Sequence, residues 1–595
     1  MTLGNKIMVF LSSMVIGFLG AFFILYLIPD SSQITFLQQV LIVGISWICL
    51  GVVSYFVILS SVKRYKKLAS LFLVELDFQQ TLRKIFLATF FLFPIFIIAF
   101  RHVKEFFQIT ILGRVFDLVG WMTPVEGAGV ILLTSLLVGI LVFLLLFFVI
   151  GRKPRIVQYL NELPDYYYIL FIILAGASIK LFFMFLLNTQ PLSDFEIINS
   201  DAILIAKGAS PQHMYVEVHV IPTVIYGYLY RFFGSDLMVI KTFHLILYAL
   251  SGVFIYYAGK VNFEQKLWSG IAGALITTWP SLALYSNVLT PEHLFIFFEC
   301  VLMFVVSYFF QGQTKQQFKM SILNEVIGFS IIGILLGFMG MFRPFNQIFL
   351  IAFIITFFVY SSNFDLKRLF LNGAVLLIFV LILGRVPVVV AEHYQNHFGS
   401  IRPCNLLVGM NVDALGQYNV EDTAVCHEIL ASTSSETIAM QKVIEVVLER
   451  LQGRQDLLIS FFDQKFAILW ANSNGILFWV LNLPNGSDLR NSLDVIQKVN
   501  LIDFSMMFLA TWACVIGVVL VFFKDIKPAV FWGLLSFFAF NLMELIFEVQ
   551  TRYRTVVMPL FIFFACWALS HAYSSITRKF TKTLGEDLEQ EIIIQ

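Results

Sequence analysis

The feature that most constrains this chain is a succession of apolar runs, each about as long as a lipid bilayer is thick. A helix needs roughly 20 apolar residues to cross the hydrocarbon core, and runs of about that length recur along the sequence. With 59% hydrophobic and 13% charged residues, the chain has too little polar surface for a soluble fold. We therefore predict an all-α integral membrane protein with about fourteen transmembrane helices. The predicted spans cover 7–28, 36–60, 84–101, 127–150, 166–188, 236–258, 267–285, 291–311, 324–342, 346–361, 368–390, 505–523, 527–546 and 555–574.

Basic residues mark one side of this alternation of spans and loops. By the positive-inside rule that side is cytoplasmic, and both termini share it. We expect the active site on the opposite, extracytoplasmic side, and a net charge of +1 favours no nucleic-acid partner. The basic loops contain Lys63, Arg64, Lys66, Lys67, Arg152, Lys153, Arg155, Lys315, Lys319, Lys367, Arg368, Lys524 and Lys527. The extracytoplasmic segments are 29–35, 101–126, 189–235, 286–290, 343–345, 391–504 and 547–554.

Changes in hydropathy divide the chain into five segments. The first holds four predicted spans without paired acids and bases, so we interpret it as an accessory module. The third is polar and is predicted to be a small extracytoplasmic domain or a large structured loop. The segments are 1–155 (accessory N-terminal membrane module), 156–390 (core membrane module with the first external loop at 189–235), 391–504 (extracytoplasmic loop or domain), 505–575 (C-terminal spans) and 576–595 (cytoplasmic tail).

The polar segment 391–504 contains two recognisable features. Its apolar periodicity predicts an amphipathic helix at Thr437–Leu451. Cys404 and Cys426 lie together in it, and an extracytoplasmic compartment would permit a disulfide between them. Two free thiols are the alternative, and the sequence leaves both open.

An acidic stretch follows the span at 166–188. The segment LLNTQPLSDFEIINSDAILIAKGASP, 186–211, places Asp194, Glu196 and Asp201 just outside the membrane. Carboxylates at such a surface can act as general bases, because they can take the proton of an acceptor hydroxyl as a bond forms. A solvated loop that happens to be acidic is the alternative.

The next stretch, MYVEVHVIPTVIYGYLYRFFG at 214–234, is amphipathic and contains Pro222. It is predicted to lie along the membrane interface rather than to cross it. Glu217, His219 and the preceding His213 could line a site or bind a metal, although lone histidines more often have a structural role.

Three later motifs place charged side chains at the same predicted face. SNVLTPEHLF brings Glu292 and His293 to the membrane boundary, where ionisable residues are candidates for function. FRPFNQ contributes Arg343, and VQTRYRTVVMP contributes Arg552 and Arg554. Guanidinium groups there suit a phosphate held at the membrane surface. Snorkelling arginines at helix ends are the alternative for each one singly.

Taken together, these motifs resemble those of the C-type (GT-C) glycosyltransferases. This polytopic superfamily includes the protein O-mannosyltransferases and the aminoarabinose transferases (family 39-like enzymes), and it takes sugars from polyprenyl-phosphate carriers. The resemblance rests on SDFEIINSDAILIAKG, LTPEHLF, FRP and TRYRTVVMP, and it covers about residues 160–575. LVGMNVDALGQYNVED, 407–422, also resembles an external-loop pattern of Gram-positive members that decorate envelope polymers.

The resemblance implies roles for particular residues. Asp194 would be the catalytic carboxylate, with Glu196 as its helper or substitute. Arg343 and Arg552, together with Arg554, would bind the donor phosphate. The aminoarabinose transferases carry an arginine and a tyrosine just after the acid, where this chain has isoleucines, so their donor specificity is not implied.

The predicted function is transfer of a monosaccharide from a polyprenyl-phosphate carrier, within membrane lipid, to a cell-envelope acceptor: a polysaccharide, a teichoic acid, a lipid or a protein. No cofactor is required, although a divalent ion could bridge Asp194, Glu217 and the phosphate. One alternative is a transporter or flippase of lipid-linked sugars, but transporters often place ionisable residues at mid-membrane in repeated halves, and no internal repeat is visible. The other is an inactive structural membrane subunit.

Overall fold

The computed structural model describes most of the chain from residue 154 onwards. It covers 154–594 except 213–216, 312–321, 361–365, 395–401, 434, 455–456, 471–473, 484–488 and 524–525, and it adds Ile95 and Ile98. The described part contains helices and no strand, so the prediction of an all-α membrane protein is confirmed. The accessory module predicted at 1–155 lies almost wholly outside the described residues, as does His213.

The first part of the described chain contains both long apolar helices and shorter ones. α1 is Pro154–Glu162, α2 Asp165–Leu186, α3 Asp194–Ala206, α4 Glu217–Phe233, α5 Leu237–Asn262, α6 Lys266–Thr278, α7 Pro280–Tyr285, α8 Glu292–Phe309, α9 Ile322–Phe342, α10 Asn346–Tyr360, α11 Leu366–Gly384 and α12 Val386–His393.

Shorter helices then lead to the C-terminal ones. α13 is Arg402–Gly409, α14 Val420–Ser432, α15 Glu436–Leu451, α16 Leu458–Trp470, α17 Asn474–Val480, α18 Leu489–Phe523, α19 Pro528–Ile546 and α20 Met558–Ile594. A 3₁₀ helix, Thr551–Val557, directly precedes α20.

Eight helices in the described part are long and apolar enough to cross a membrane. All eight fall on predicted apolar runs, because a bilayer fixes the length and polarity that a span must have. They are α2, α5, α8, α9, Phe370–His393 across α11 and α12, Lys498–Val518 within α18, α19, and Thr551–Ser575.

Two other predicted spans have a different structure, so the count of about fourteen is not confirmed. The run 267–285 is broken into α6 and α7, since Pro280 has no N–H to continue α6 and Trp279 before it is extended at φ −58°, ψ 125°. The run 346–361 forms α10, which has 15 residues and is short for a span.

A small domain follows α12. Its helices α13, α14 and α15, residues 402–451, pack around Leu407, Ala439 and Val443, and we call it the loop domain. Cys404 and Cys426 form a disulfide between α13 and α14. The amphipathic helix predicted at Thr437–Leu451 is α15, which begins where the Ser435 side chain accepts a hydrogen bond from the Ile438 amide.

Candidate active site

Asp194 is the first residue of α3, at the end of a loop that other elements hold in place. The Thr189 hydroxyl donates to the Val480 carbonyl (2.7 Å), and Lys241 Nζ donates to the Thr189 carbonyl (3.0 Å). Ser193, directly before Asp194, has φ 55°, a conformation uncommon for a residue other than glycine. Such strain persists only where the surroundings impose it, and it is concentrated at functional sites. The backbone entering Asp194 is therefore fixed.

Arg552 lies in a cage of aromatic rings near this helix. Its guanidinium carbon is 4.5 Å from the centre of the Trp479 ring, 5.2 Å from that of Phe195 and 5.5 Å from that of Tyr553. Only 5% of Arg552 is exposed, and its Nε and Nη1 have no hydrogen-bond partner in the described part of the chain. A buried charge normally has such partners. The rings stabilise the cation, while two of its nitrogens, Nε and Nη1, stay available as donors to an anion.

Arg343 and Glu292 form an ion pair near Tyr553. Arg343 Nη2 is 2.5 Å from Glu292 Oε1, and the Glu292 side chain is 0% exposed. The Arg343 guanidinium carbon is 5.6 Å from the centre of the Tyr553 ring. Burial lowers the pKa of Arg343, but Glu292 and Tyr553 raise it, and the net direction is upward. Tyr553 thus lies close to both guanidinium groups.

His219 and Glu548 complete the cluster around Asp194. Burial lowers the pKa of His219 to about 4, while the charge of Asp194 acts in the opposite direction, so His219 is neutral near pH 7. Burial raises the pKa of Glu548, against the effects of its hydrogen bond from Gln550 and of the two guanidinium groups, and Asp194 raises it further. Asp194 therefore lies within electrostatic range of a neutral imidazole, a second carboxyl and Arg552.

Other predicted site residues lie outside this cluster or have other contacts. Glu196 is exposed on α3, and no hydrogen bond or ion pair joins its side chain to another described residue. Glu217 begins α4 two residues before His219 and is half-buried. His293 packs into the bundle: its Nδ1 is 3.2 Å from the Tyr248 hydroxyl, and its Nε2 is 3.0 Å from the Val288 carbonyl oxygen. These contacts favour a structural role for His293.

Arg554 differs from the other two arginines in its contacts. It forms an ion pair with Asp503 (3.2 Å), and both side chains are 1% exposed. Its Nη1 also donates to the carbonyls of Leu469 and Trp470, at 3.4 and 3.3 Å. Its charge is thus neutralised inside the protein, and these contacts join α16, α18 and the 3₁₀ helix. We leave Arg554 out of the phosphate site proposed below.

Arg554→Met should lower the thermal unfolding midpoint strongly, because removing one partner leaves a buried carboxylate without its cation. Breaking a buried ion pair typically costs about 3–5 kcal/mol. The double variant Arg554→Met/Asp503→Leu should recover much of this loss, since it leaves no isolated charge. Thermal unfolding of the detergent-solubilised full chain measures both. A single variant as stable as the wild type would contradict the structural role.

A metal site is not evident in the part of the chain that the structure describes. No group of three or more His, Cys, Asp or Glu side chains there is arranged to hold a metal ion. A divalent ion between Asp194, Glu217 and a phosphate stays a prediction, and no chemical step below depends on it.

Sequence reasoning did not identify three of the side chains that build this site. Phe195 and Trp479 hold Arg552, but they are aromatic residues in apolar stretches and look like ordinary core residues. Glu548 was noticeable only as the acid nearest to Arg552 in the sequence. The signal that could have found it is a carboxylate next to two arginines in a short loop between spans.

Comparison with known proteins gives similarity to solved structures alone. No protein-family model matches the chain, and no curated protein matches it. The Archaeoglobus fulgidus oligosaccharyltransferase tethered to an acceptor peptide containing the NVT sequon is 12% identical, with a TM-score of 0.38; the match covers 69% of this chain and 50% of that one. The same enzyme in complex with Zn and sulfate is 13% identical, with a TM-score of 0.26, over 67% of this chain and 53% of that one.

The present chain thus spans about half the length of these structures. Both structures are of an oligosaccharyltransferase by name. At such low TM-scores they assign no role to any residue of this chain.

Proposed function

We propose that this chain is a membrane glycosyltransferase that moves a monosaccharide from a polyprenyl-phosphate carrier to an acceptor of the cell envelope. The observation that carries the proposal is the arrangement of Arg552 and Arg343 around Tyr553, within electrostatic range of Asp194. Nε of both arginines and Nη1 of Arg552 have no hydrogen-bond partner among the described residues. Guanidinium donors of this kind bind phosphate oxygens with short, charge-assisted hydrogen bonds.

The chemistry needs one displacement. The acceptor hydroxyl oxygen attacks the anomeric carbon, and the bond from that carbon to the carrier phosphate breaks. The electron pair leaves with the phosphate, whose developing charge is stabilised by Arg552 and Arg343. The hydroxyl proton passes to Asp194 as the new bond forms. A single in-line displacement inverts the configuration at the anomeric carbon.

Asp194 suits the part of base better than its neighbours. Asp194 begins α3 and lies within electrostatic range of Arg552. Glu548 has a raised pKa, so it holds its proton more firmly than an ordinary glutamic acid. Glu196 is exposed on α3. We therefore assign the role of general base to Asp194.

The proposed location of the reaction is the outer face of the membrane. Basic loops favour the opposite side as cytoplasmic, and a carrier phosphate bound by Arg552 would leave its lipid tail between the spans. The acceptor would be a polysaccharide, a teichoic acid, a lipid or a protein that reaches this face.

A strain that lacks this chain tests the proposal. Its envelope should lose one sugar modification, and the matching sugar-charged carrier should accumulate on the outer leaflet, because the donor is still made and translocated. Mass spectrometry of envelope hydrolysates and of extracted lipids measures both, with the complemented strain as the control. An envelope and a carrier pool identical to the wild type would refute a transferase function.

A lipid-linked sugar transporter is a second candidate because two buried ionisable residues lie within spans. Lys180 Nζ lies 3.5 Å from the centre of the Tyr248 ring, and neither it nor the carboxylate oxygens of Glu299 have a hydrogen-bond partner among the described residues. Ionisable groups in this setting are candidates for a transport pathway. The same strain separates the two functions: loss of a transporter leaves the charged carrier on the inner leaflet, protected in intact cells from membrane-impermeant periodate.

A further inference from the structure

The segment that carries Glu548 and Arg552 is bound through its backbone to the loop domain. The Glu548 amide donates to the Asn405 carbonyl, and the Val549 amide donates to the Gly416 carbonyl, both at 2.8 Å. Because backbone groups make these bonds, they fix the path of the chain itself. The position of this segment therefore depends on the loop domain.

Gly409 allows this close approach. A Cβ added at Gly409 would lie 2.2 Å from the carbonyl carbon of Phe547 and 2.4 Å from the amide nitrogen of Glu548. Real side chains do not approach backbone atoms so closely, so any other residue would push the two segments apart. The end of α13 thus rests directly on the chain that follows α19.

Lys465 joins the same two segments from a third element, α16. Its ammonium donates to the carbonyls of Gly409 (2.7 Å), Leu545 (2.9 Å) and Phe547 (2.6 Å). An ammonium group has three donors, so one is used on the loop domain and two on the chain at the end of α19. Lys465 is 1% exposed, and burial lowers its pKa to about 7, so the three hydrogen bonds offset only part of the cost of burying its charge.

We infer that Lys465 is a positioning residue: it fastens the loop domain to residues 545–549 and thereby sets the place of Glu548 and Arg552 in the site. The inference rests on the proposed function in one respect, that Arg552 binds the donor phosphate. The Cys404–Cys426 disulfide supports the same attachment, because it links α13 to the rest of the loop domain. α13 is the helix that carries Asn405 and Gly409.

Lys465→Met in the full-length protein tests the inference, since methionine keeps an unbranched stem and removes every donor. Hydrogen–deuterium exchange of the Glu548 and Val549 amides is the direct measurement. We expect exchange about tenfold faster or more, as loss of charge-assisted hydrogen bonds implies. Lys442→Met is the matched control, because Lys442 is exposed in the same domain, and its exchange at 548–549 should equal that of the wild type.

Steady-state kinetics of sugar transfer by the same proteins distinguish a positioning role of Lys465 from a purely structural one. A displaced Arg552 should raise KM for the polyprenyl-phosphate sugar more than it lowers kcat, which a loss of stability alone would not do. Unchanged exchange at 548–549 in folded Lys465→Met would overturn the inference, and so would faster exchange with an unchanged KM. If Lys465→Met does not fold, reduction of the wild-type disulfide should accelerate exchange at the same two amides, and no acceleration there would also overturn it.

Failure of the proposed function would look different. A wild-type protein that transfers no sugar would refute the transferase assignment. The exchange comparison between Lys465→Met and Lys442→Met would still decide whether Lys465 holds residues 545–549, because it does not depend on turnover.

Discussion

Asp194→Asn should reduce sugar transfer by a factor of at least about 100, because a general base typically contributes 10²–10⁴-fold. The amide has nearly the shape of the carboxylate and can take the same place at the start of α3, yet it cannot accept the hydroxyl proton. Donor binding should change little, since Arg552 and Arg343 remain. The loss should therefore appear in kcat rather than in KM for the donor.

The measurement is the envelope glycan composition of cells that carry Asp194→Asn, beside wild-type and deletion strains at matched protein levels. Glu196→Gln is the matched control: it makes the same kind of change two residues away on an exposed side chain, and its envelope should equal that of the wild type. An Asp194→Asn envelope that keeps the modification, beside a deletion that loses it, would refute Asp194 as the base.

Arg552→Gln should lower kcat/KM for the lipid-linked donor by about 10²–10³-fold, the usual effect of removing one donor that stabilises developing charge. Glutamine keeps a polar planar end but loses the cation. Arg552→Lys should lower kcat/KM almost as much. A compact ammonium cannot offer the planar pair of donors that a phosphate matches, and it cannot stack on Trp479 and Phe195 as a guanidinium does.

Transfer assays with purified protein and varied donor concentration measure this effect, and inhibition by free polyprenyl phosphate reports the phosphate site separately. Both should weaken together in Arg552→Gln. Arg231→Gln is the matched control, since Arg231 is exposed in the last turn of α4 and should leave both values unchanged. An Arg552→Gln protein with wild-type donor kinetics would exclude Arg552 from the phosphate site.

Much of the architecture could be predicted because a bilayer imposes strong constraints on sequence. Any helix that crosses it must be long and apolar, so α2, α8 and α19 stand out in the sequence. The convergence of Arg343 and Arg552 could also be predicted, since alternation of spans puts their loops on the same face. The cluster around Asp194 agrees with that expectation.

The remaining features depend on contacts between distant parts of the chain. Arg554 looks equivalent to Arg552 in sequence, two residues away, but the 3₁₀ helix turns it towards Asp503, whose partner no local pattern reveals. Trp479 reaches Arg552 from α17, a helix too short to be a clear signal. The three hydrogen bonds of Lys465 are made to backbone carbonyls of two other elements. Because every residue has a backbone carbonyl, the sequence does not show which ones Lys465 contacts.

The Arg554–Asp503 pair also has a consequence for biosynthesis. The two residues are 51 positions apart, so at about 5–20 residues per second the ribosome needs roughly 3–10 seconds after Asp503 before its cation exists. During that interval Asp503 lacks the cation that pairs with it in the folded chain. We expect α18 to reach its final position only after the last helix has been made. A chain truncated before Arg554 would lack the cation that pairs with Asp503, and we expect it to be degraded faster than the full chain.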